Sequence, residues 1–181
     1  MNKTVVIIII VVIVGVVGAF VLLGNNSAQK IDFPEVPVIN TNTVNSGQPD
    51  TVGGSDETID GEILAGTASR YYAFSASAFE QAMASDKIVF LEFYANWCPV
   101  CRAEQPEIVE GFNQLERNDV VGLRANYNDD ETDAAEKALA QQLGVTYQHT
   151  KIIFRNGKEV HRDGVPWNIQ DFLDAIESAS E

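Results

Sequence analysis

Cysteine is scarce in this chain, with two in 181 residues, Cys98 and Cys101. So few exclude a disulfide framework. A disulfide closing across two intervening residues would restrict the unfolded chain little, so a structural staple is a poor reading of the pair. Histidine is equally scarce. His149 and His161 stand far from the cysteines and apart from each other, which does not fit the short second ligand pair of a zinc finger. Haem attachment needs a histidine directly after the second cysteine, and the sequence has Arg102 there. Basic residues are also in deficit, 12 Lys and Arg against 26 Asp and Glu, for a formal net charge of −14. A surface this acidic, without a basic stripe, repels phosphate backbones and excludes nucleic acid as a partner; its plain consequence is solubility.

Charge is missing altogether from Val5 to Leu23, "VVIIIIVVIVGVVGAFVLL". As a helix at about 1.5 Å per residue this run extends roughly 28 Å, close to the hydrocarbon thickness of a bilayer. Residues 1–23 are therefore expected to form an N-terminal transmembrane anchor. The competing reading, a cleaved signal peptide, needs a small-x-small site, and "GNNSAQK" offers only a poor one ending at Ala28. Lys3 flanks the near end and Lys30 lies beyond the far one, so the positive-inside rule leaves the N-terminus cytoplasmic and the rest of the chain extracytoplasmic. Residues 24–67, rich in Pro, Gly, Asn, Thr, Ser and Asp and without a sustained period, read as a disordered acidic and polar linker.

Residues 68–181 show alternating patterns of strand and helix. "YYAF" (71–74) is a short strand candidate. Ser77 and Glu80 have capping-box spacing ahead of a helix bearing Phe79 and Met83. "KIVFLEF" (87–93) is a nearly continuous apolar run, as suits a central strand covered on both faces. After the cysteines, Ile108, Phe112 and Leu115 mark a helix that contains Pro106. "DVVGLRAN" (119–126) is a further strand, and "TDAAEKALAQQLG" a helix stopped by Gly144. "KIIFRNGKEVHR" is a hairpin turning at Asn156-Gly157, and Asn168 caps a last helix with Ile169, Phe172, Leu173 and Ile176 on one face. The order β-α-β-α-β-α-β-β-α predicts an α/β fold, a sheet flanked by helices.

In "FYANWCPVC", a strand ending near Ala95 places Cys98 at the entry to a helix. Unpaired N–H groups and the positive end of the helix dipole there favour a thiolate. A thiol of depressed pKa is a nucleophile at neutral pH and a good leaving group. Cys98 is thus expected to attack a disulfide, and Cys101, one turn along and more buried, to resolve the mixed disulfide. Pro99 pre-sets the first helical φ.

"VFLEFYANWCPVC", followed five residues later by Pro106, resembles the active-site region of the thioredoxin family, and the element order from about Ser69 to Ser178 is similar to the thioredoxin fold. The resemblance implies a central mixed sheet flanked by helices and a thiol–disulfide oxidoreductase acting on protein thiols and disulfides. It implies no cofactor beyond the redox-active Cys98–Cys101 pair; a reductant outside the cell would also need a membrane redox partner. Cys98 would be the exposed attacking thiol and Cys101 the resolving one, with Trp97, Pro99 and Val100 around them. Glu92 falls where the family often keeps a buried acid. A carboxyl in an apolar strand has its pKa raised and can relay a proton to or from Cys101; the plainer reading pairs it with Arg124.

The family's cis-proline position is filled by His149, before Thr150, and Gln148 would offer its backbone to an extended substrate. A cis bond before a non-proline residue costs about 2.5–4 kcal/mol, so a trans or strained loop is expected. Beside a dithiol an imidazole can tune the redox chemistry as a cation and general acid. When neutral it can join Cys98 and Cys101 as a metal ligand, which makes a metal-binding domain or metallochaperone the alternative function; or it can turn to solvent. His161 reads as an ordinary surface residue.

Overall fold

The computed structural model describes residues 59–181. The expected anchor, and most of the expected linker, lie outside the described residues; among these, no helix is long and apolar enough to cross a membrane. Six strands form one sheet: β1 (Ile63–Ala65), β2 (Arg70–Ala73), β3 (Ile88–Tyr94), β4 (Val120–Asn126), β5 (Thr150–Arg155) and β6 (Lys158–Asp163). Their spatial order is β1-β2-β4-β3-β5-β6. The sheet is mixed: β3 runs parallel to β4 and antiparallel to β5, β2 runs parallel to β4, and β1 and β6 close the edges antiparallel.

The apolar run of β3 is buried from Ile88 to Phe93 because helices cover both faces of the sheet. Side chains alternate across a strand. Val89, Leu91 and Phe93 enter one core with Phe79 and Ala82 of α1 (Ala76–Ala84) and with Leu139 and Ala140 of α3 (Ala134–Gln142). Ile88 and Phe90 enter the other, with Ile108 and Phe112 of α2 (Pro99–Gln114) and Phe172 and Ile176 of α4 (Ile169–Ser178). Helices α2 and α4 approach so closely that a Cβ on Gly111 would stand 2.4 Å from Phe172 Cδ1. The expected hairpin is present: Asn156 and Gly157 both hold positive φ, 51° and 70°, as a two-residue primed turn requires. Asn168 caps α4 by accepting from the Gln170 and Asp171 amides.

Two local expectations are corrected. The cap of α1 is Ser75, whose side chain accepts from the Ala78 amide, and not Ser77; Ser77 Oγ instead accepts from Gln81 within the helix. The Ser77–Glu80 spacing was right for a capping box, but the chain enters the helix two residues earlier. Strand β1 lies inside the stretch read as linker. Three residues with a register shift against β2 are too short to show a period of two.

Candidate active site

Strand β3 ends at Tyr94, and the chain turns through Ala95, Asn96 and Trp97 into α2. That turn is fastened to the loop after β4: the Asn96 amide donates to Asp129 (2.9 Å), its side chain to Asp130 (2.7 Å), and Trp97 Nε1 to the Asn128 carbonyl (2.9 Å). Cys98 is the N-cap of α2, and its sulfur accepts from the Cys101 amide at 3.3 Å. Pro99 takes the first helical position, where a missing N–H costs nothing. Both thiols are free.

The two sulfurs titrate in opposite directions. Burial pushes Cys98 up but is outweighed by hydrogen bonds from the Cys101 thiol, the Cys101 and Val100 amides and the Gln148 side chain, so its pKa falls below the ordinary thiol value. Cys101 is pushed up to about 12, chiefly by burial, then by its hydrogen bond with Cys98 and by the negative charges of Cys98 and Glu92. Cys98 is thus the more readily ionised of the two thiols. The expectation that Cys98 is the exposed thiol is corrected, since residue 98 is 2% exposed and residue 101 is 3%. The loop before β5 closes over it, bringing His149 Nδ1 to 4.0 Å from Cys98 Sγ. The exposed rim is apolar, consisting of Trp97 at 49%, Val100 and Tyr147.

His149 sits in that loop with φ 50°, a left-handed conformation uncommon for a side chain of its size, and among the described residues no peptide is cis. The loop is pinned from both sides: the His149 amide donates to the Phe93 carbonyl (2.5 Å), and its carbonyl accepts from Lys151 Nζ (3.2 Å). His161, expected as a plain surface residue, is half-buried; its Nε2 lies 2.9 Å from Asp163 and its ring packs on Trp167.

Glu92 points from β3 towards α2. Burial, opposed by a hydrogen bond from the Tyr71 hydroxyl, raises its pKa from 4.5 to about 7. Arg124 is its cross-strand neighbour, yet that guanidinium lies over the Tyr94 ring, 4.9 Å from its centroid. The expected pairing with Arg124 is thus replaced by Tyr71, which also accepts from Gln105 at 3.2 Å.

Sequence reasoning missed a second buried acid. Lys151 of β5, fully buried, forms an ion pair with Glu104 of α2 at 2.6 Å, and Glu104 also accepts from the Trp167 amide at 2.7 Å. A signal for Glu104 existed: it shares the helical face of Cys101, Ile108 and Phe112.

A capping thiol of lowered pKa one helical turn from a high-pKa thiol, with a carboxyl of intermediate pKa behind them, defines a thiol–disulfide exchange site. The thioredoxin family model matches residues 71–177. Thioredoxin-1 of Saccharomyces cerevisiae is 35% identical over 86 residues, covering 48% of this chain and 76% of that protein. Protein disulfide-isomerase of Gallus gallus is 41% identical over 83 residues, covering 45% of this chain but only 15% of that larger protein. Among solved structures, Trxlp from Edwardsiella tarda is 34% identical with a TM-score of 0.50, covering 57% of this chain and 95% of that one. The chain belongs to the thioredoxin family, and it is a thiol–disulfide oxidoreductase.

Proposed function

We propose that the chain is a membrane-tethered, extracytoplasmic oxidoreductase exchanging disulfides with protein substrates through Cys98 and Cys101. One observation carries the chemistry: Cys98 caps α2 and accepts the Cys101 amide, so its thiolate is stabilised at the start of the helix. The tether rests on the uncharged Val5–Leu23 run and the extracytoplasmic orientation on Lys3. Protein substrates fit the rim of Trp97, Val100 and Tyr147, with the Gln148 backbone available to an extended segment.

In the reductive direction the Cys98 thiolate attacks one sulfur of a substrate disulfide; the other sulfur leaves with the electron pair and takes a proton. Cys101 then attacks Cys98 Sγ, forming the Cys98–Cys101 disulfide and releasing the second substrate thiol. The substrate gains two electrons and the protein loses two; the oxidative direction is the reverse. Cys101 at about 12 needs its proton removed, and the Glu92 carboxylate, already felt electrostatically by Cys101, is the base placed to receive it.

With a protein disulfide as substrate, Cys98→Ser is expected to abolish turnover and Cys101→Ser to accumulate a mixed disulfide visible by mass. Turnover persisting in Cys98→Ser would overturn the reading. Protease access in intact cells tests the orientation; a domain protected from external protease and cleaved only after lysis would sink it.

A further inference from the structure

We propose that the reduced site binds one zinc ion through Cys98, Cys101 and His149, so that the same dithiol alternates between a metal-held and a disulfide state. The inference rests on the dithiol reading above and adds to it a ligand and a control on the thiols. The ligand atoms of the three residues lie within 4.8 Å of one another, with Cys98 Sγ and His149 Nδ1 at 4.0 Å. In tetrahedral zinc sites, bonds of about 2.3 Å to sulfur and 2.0–2.1 Å to nitrogen separate the ligand atoms by roughly 3.4–3.8 Å. A contraction of up to about 1.4 Å, within reach of side-chain rotation, completes the set.

Backbone bonds hold the third ligand in place. The His149 amide is fixed to Phe93 of the central strand and its carbonyl to Lys151, while Tyr147 stands edge-on to the ring with centroids 6.1 Å apart. The imidazole is therefore presented to the sulfurs by a loop that is itself tied to the sheet. A proline there could supply no ligand atom. Two thiolates and an imidazole suit a d¹⁰ cation, and three protein ligands leave one position for water or a substrate group.

Both states balance chemically. Binding releases two protons from the thiols as the ion enters. When a substrate disulfide arrives, the zinc-bound dithiolate gives up two electrons and forms the Cys98–Cys101 disulfide. The substrate becomes two thiols by taking up two protons, and Zn²⁺ leaves intact.

The test uses the full chain, held in detergent because of its apolar N-terminal run. After reduction and chelator treatment it is titrated with Zn²⁺, and with Co²⁺ as a spectroscopic substitute. The expected result is one ion per reduced chain, none per oxidised chain, cobalt bands of tetrahedral thiolate ligation, and release of the ion on adding a protein disulfide. His149→Asn is the discriminating variant, because Asn tolerates the left-handed backbone. It should lower zinc affinity at least about tenfold, with an unchanged circular dichroism spectrum. Equal affinity in His149→Asn, or uptake no greater than in Cys98→Ser/Cys101→Ser, overturns the zinc site. Turnover by the metal-free chain is read separately. Turnover without zinc uptake leaves the oxidoreductase and removes the zinc site, whereas stoichiometric zinc without turnover does the opposite.

Discussion

Two buried glutamates lie on the same side of the sheet behind the dithiol, and the sequence surrounds them differently. Glu104, on α2, meets a lysine at 2.6 Å and the Trp167 amide at 2.7 Å. Glu92, on β3, accepts from the neutral hydroxyl of Tyr71, its one side-chain hydrogen-bond partner among the described residues. A carboxylate neutralised by a buried cation is a fixed structural ion. At Glu92 burial raises the pKa to about 7, opposed only in part by the Tyr71 hydrogen bond and by the charges of Lys151 and Arg124. The difference separates an ion-paired acid from one whose pKa lies near neutrality, although both residues are glutamate and both are 4% exposed.

Removing the cation should break the comparison most severely. Lys151→Met keeps the stem of the side chain but leaves Glu104 buried and unpaired. It also strips donors from the Val165 and His149 carbonyls, which Lys151 Nζ meets at 2.7 and 3.2 Å. A stability loss of about 3–5 kcal/mol is expected from the uncompensated charge, read as a lower denaturation midpoint in urea. A loss below about 1 kcal/mol, the ordinary value of a surface pair, would mean that Glu104 is not held as an ion.

Glu92 should respond in the opposite sense. Its folded pKa lies above its unfolded value of 4.5, so the native state binds more protons between the two. The stability this contributes is fully present below 4.5 and is lost as pH rises through about 7. The displacement corresponds to about 3 kcal/mol at most. Glu92→Gln is therefore expected to be more stable than the parent at pH 8, with the advantage vanishing near pH 4. It should also slow the resolving step and flatten the pH–rate profile around neutrality. A stability difference independent of pH between 4 and 8 would show that Glu92 does not titrate there.

Much of this contrast was invisible in the sequence, while the reacting pair was not. Cys98, Cys101 and the strand-to-helix handover sit within one short stretch, so spacing alone announces them. The β3, β4, β5–β6 hairpin and α4 signals are likewise local: a continuous apolar run, an Asn-Gly turn, an Asn cap. Glu92 was legible as an acid in an apolar strand, but its partner was not. Tyr71 reaches it only because β2 and β3 flank β4 in parallel register, and strand order is a property of the whole chain. The family resemblance pointed to Arg124, whose guanidinium lies over the Tyr94 ring instead. Lys151 was hidden by its place in "TKIIF", where a lysine reads as an edge or a solvent position until Glu104 is brought beneath it. His149 was legible as a departure from proline; that the loop would turn its ring onto Cys98 and bury that thiol depends on a left-handed φ that no residue type dictates.

Tyr71→Phe is the mildest way to sharpen the contrast, because it removes one oxygen and leaves the ring stacked on Phe112, 4.9 Å away at 5°. The Tyr71 hydroxyl is itself held protonated, its pKa raised by burial and then by the Glu92 charge, so it is a dependable donor. Its hydrogen bond favours the ionised carboxylate and is the first influence opposing burial at Glu92. Without it the Glu92 pKa should climb further, by about a unit for a lost hydrogen bond worth about 1.5 kcal/mol to a charged group. Gln105 Nε2 loses its acceptor at the same time. The stability cost at pH 8 should be about 1–2 kcal/mol and smaller at pH 4, where the carboxyl is neutral in both proteins. The carboxyl stretch of Glu92, followed by difference infrared spectroscopy against Glu92→Gln, reads the shift directly. A midpoint that stays in place or moves down would mean that Tyr71 does not hold the carboxylate, and the distinction between the two acids would then rest on the lysine alone.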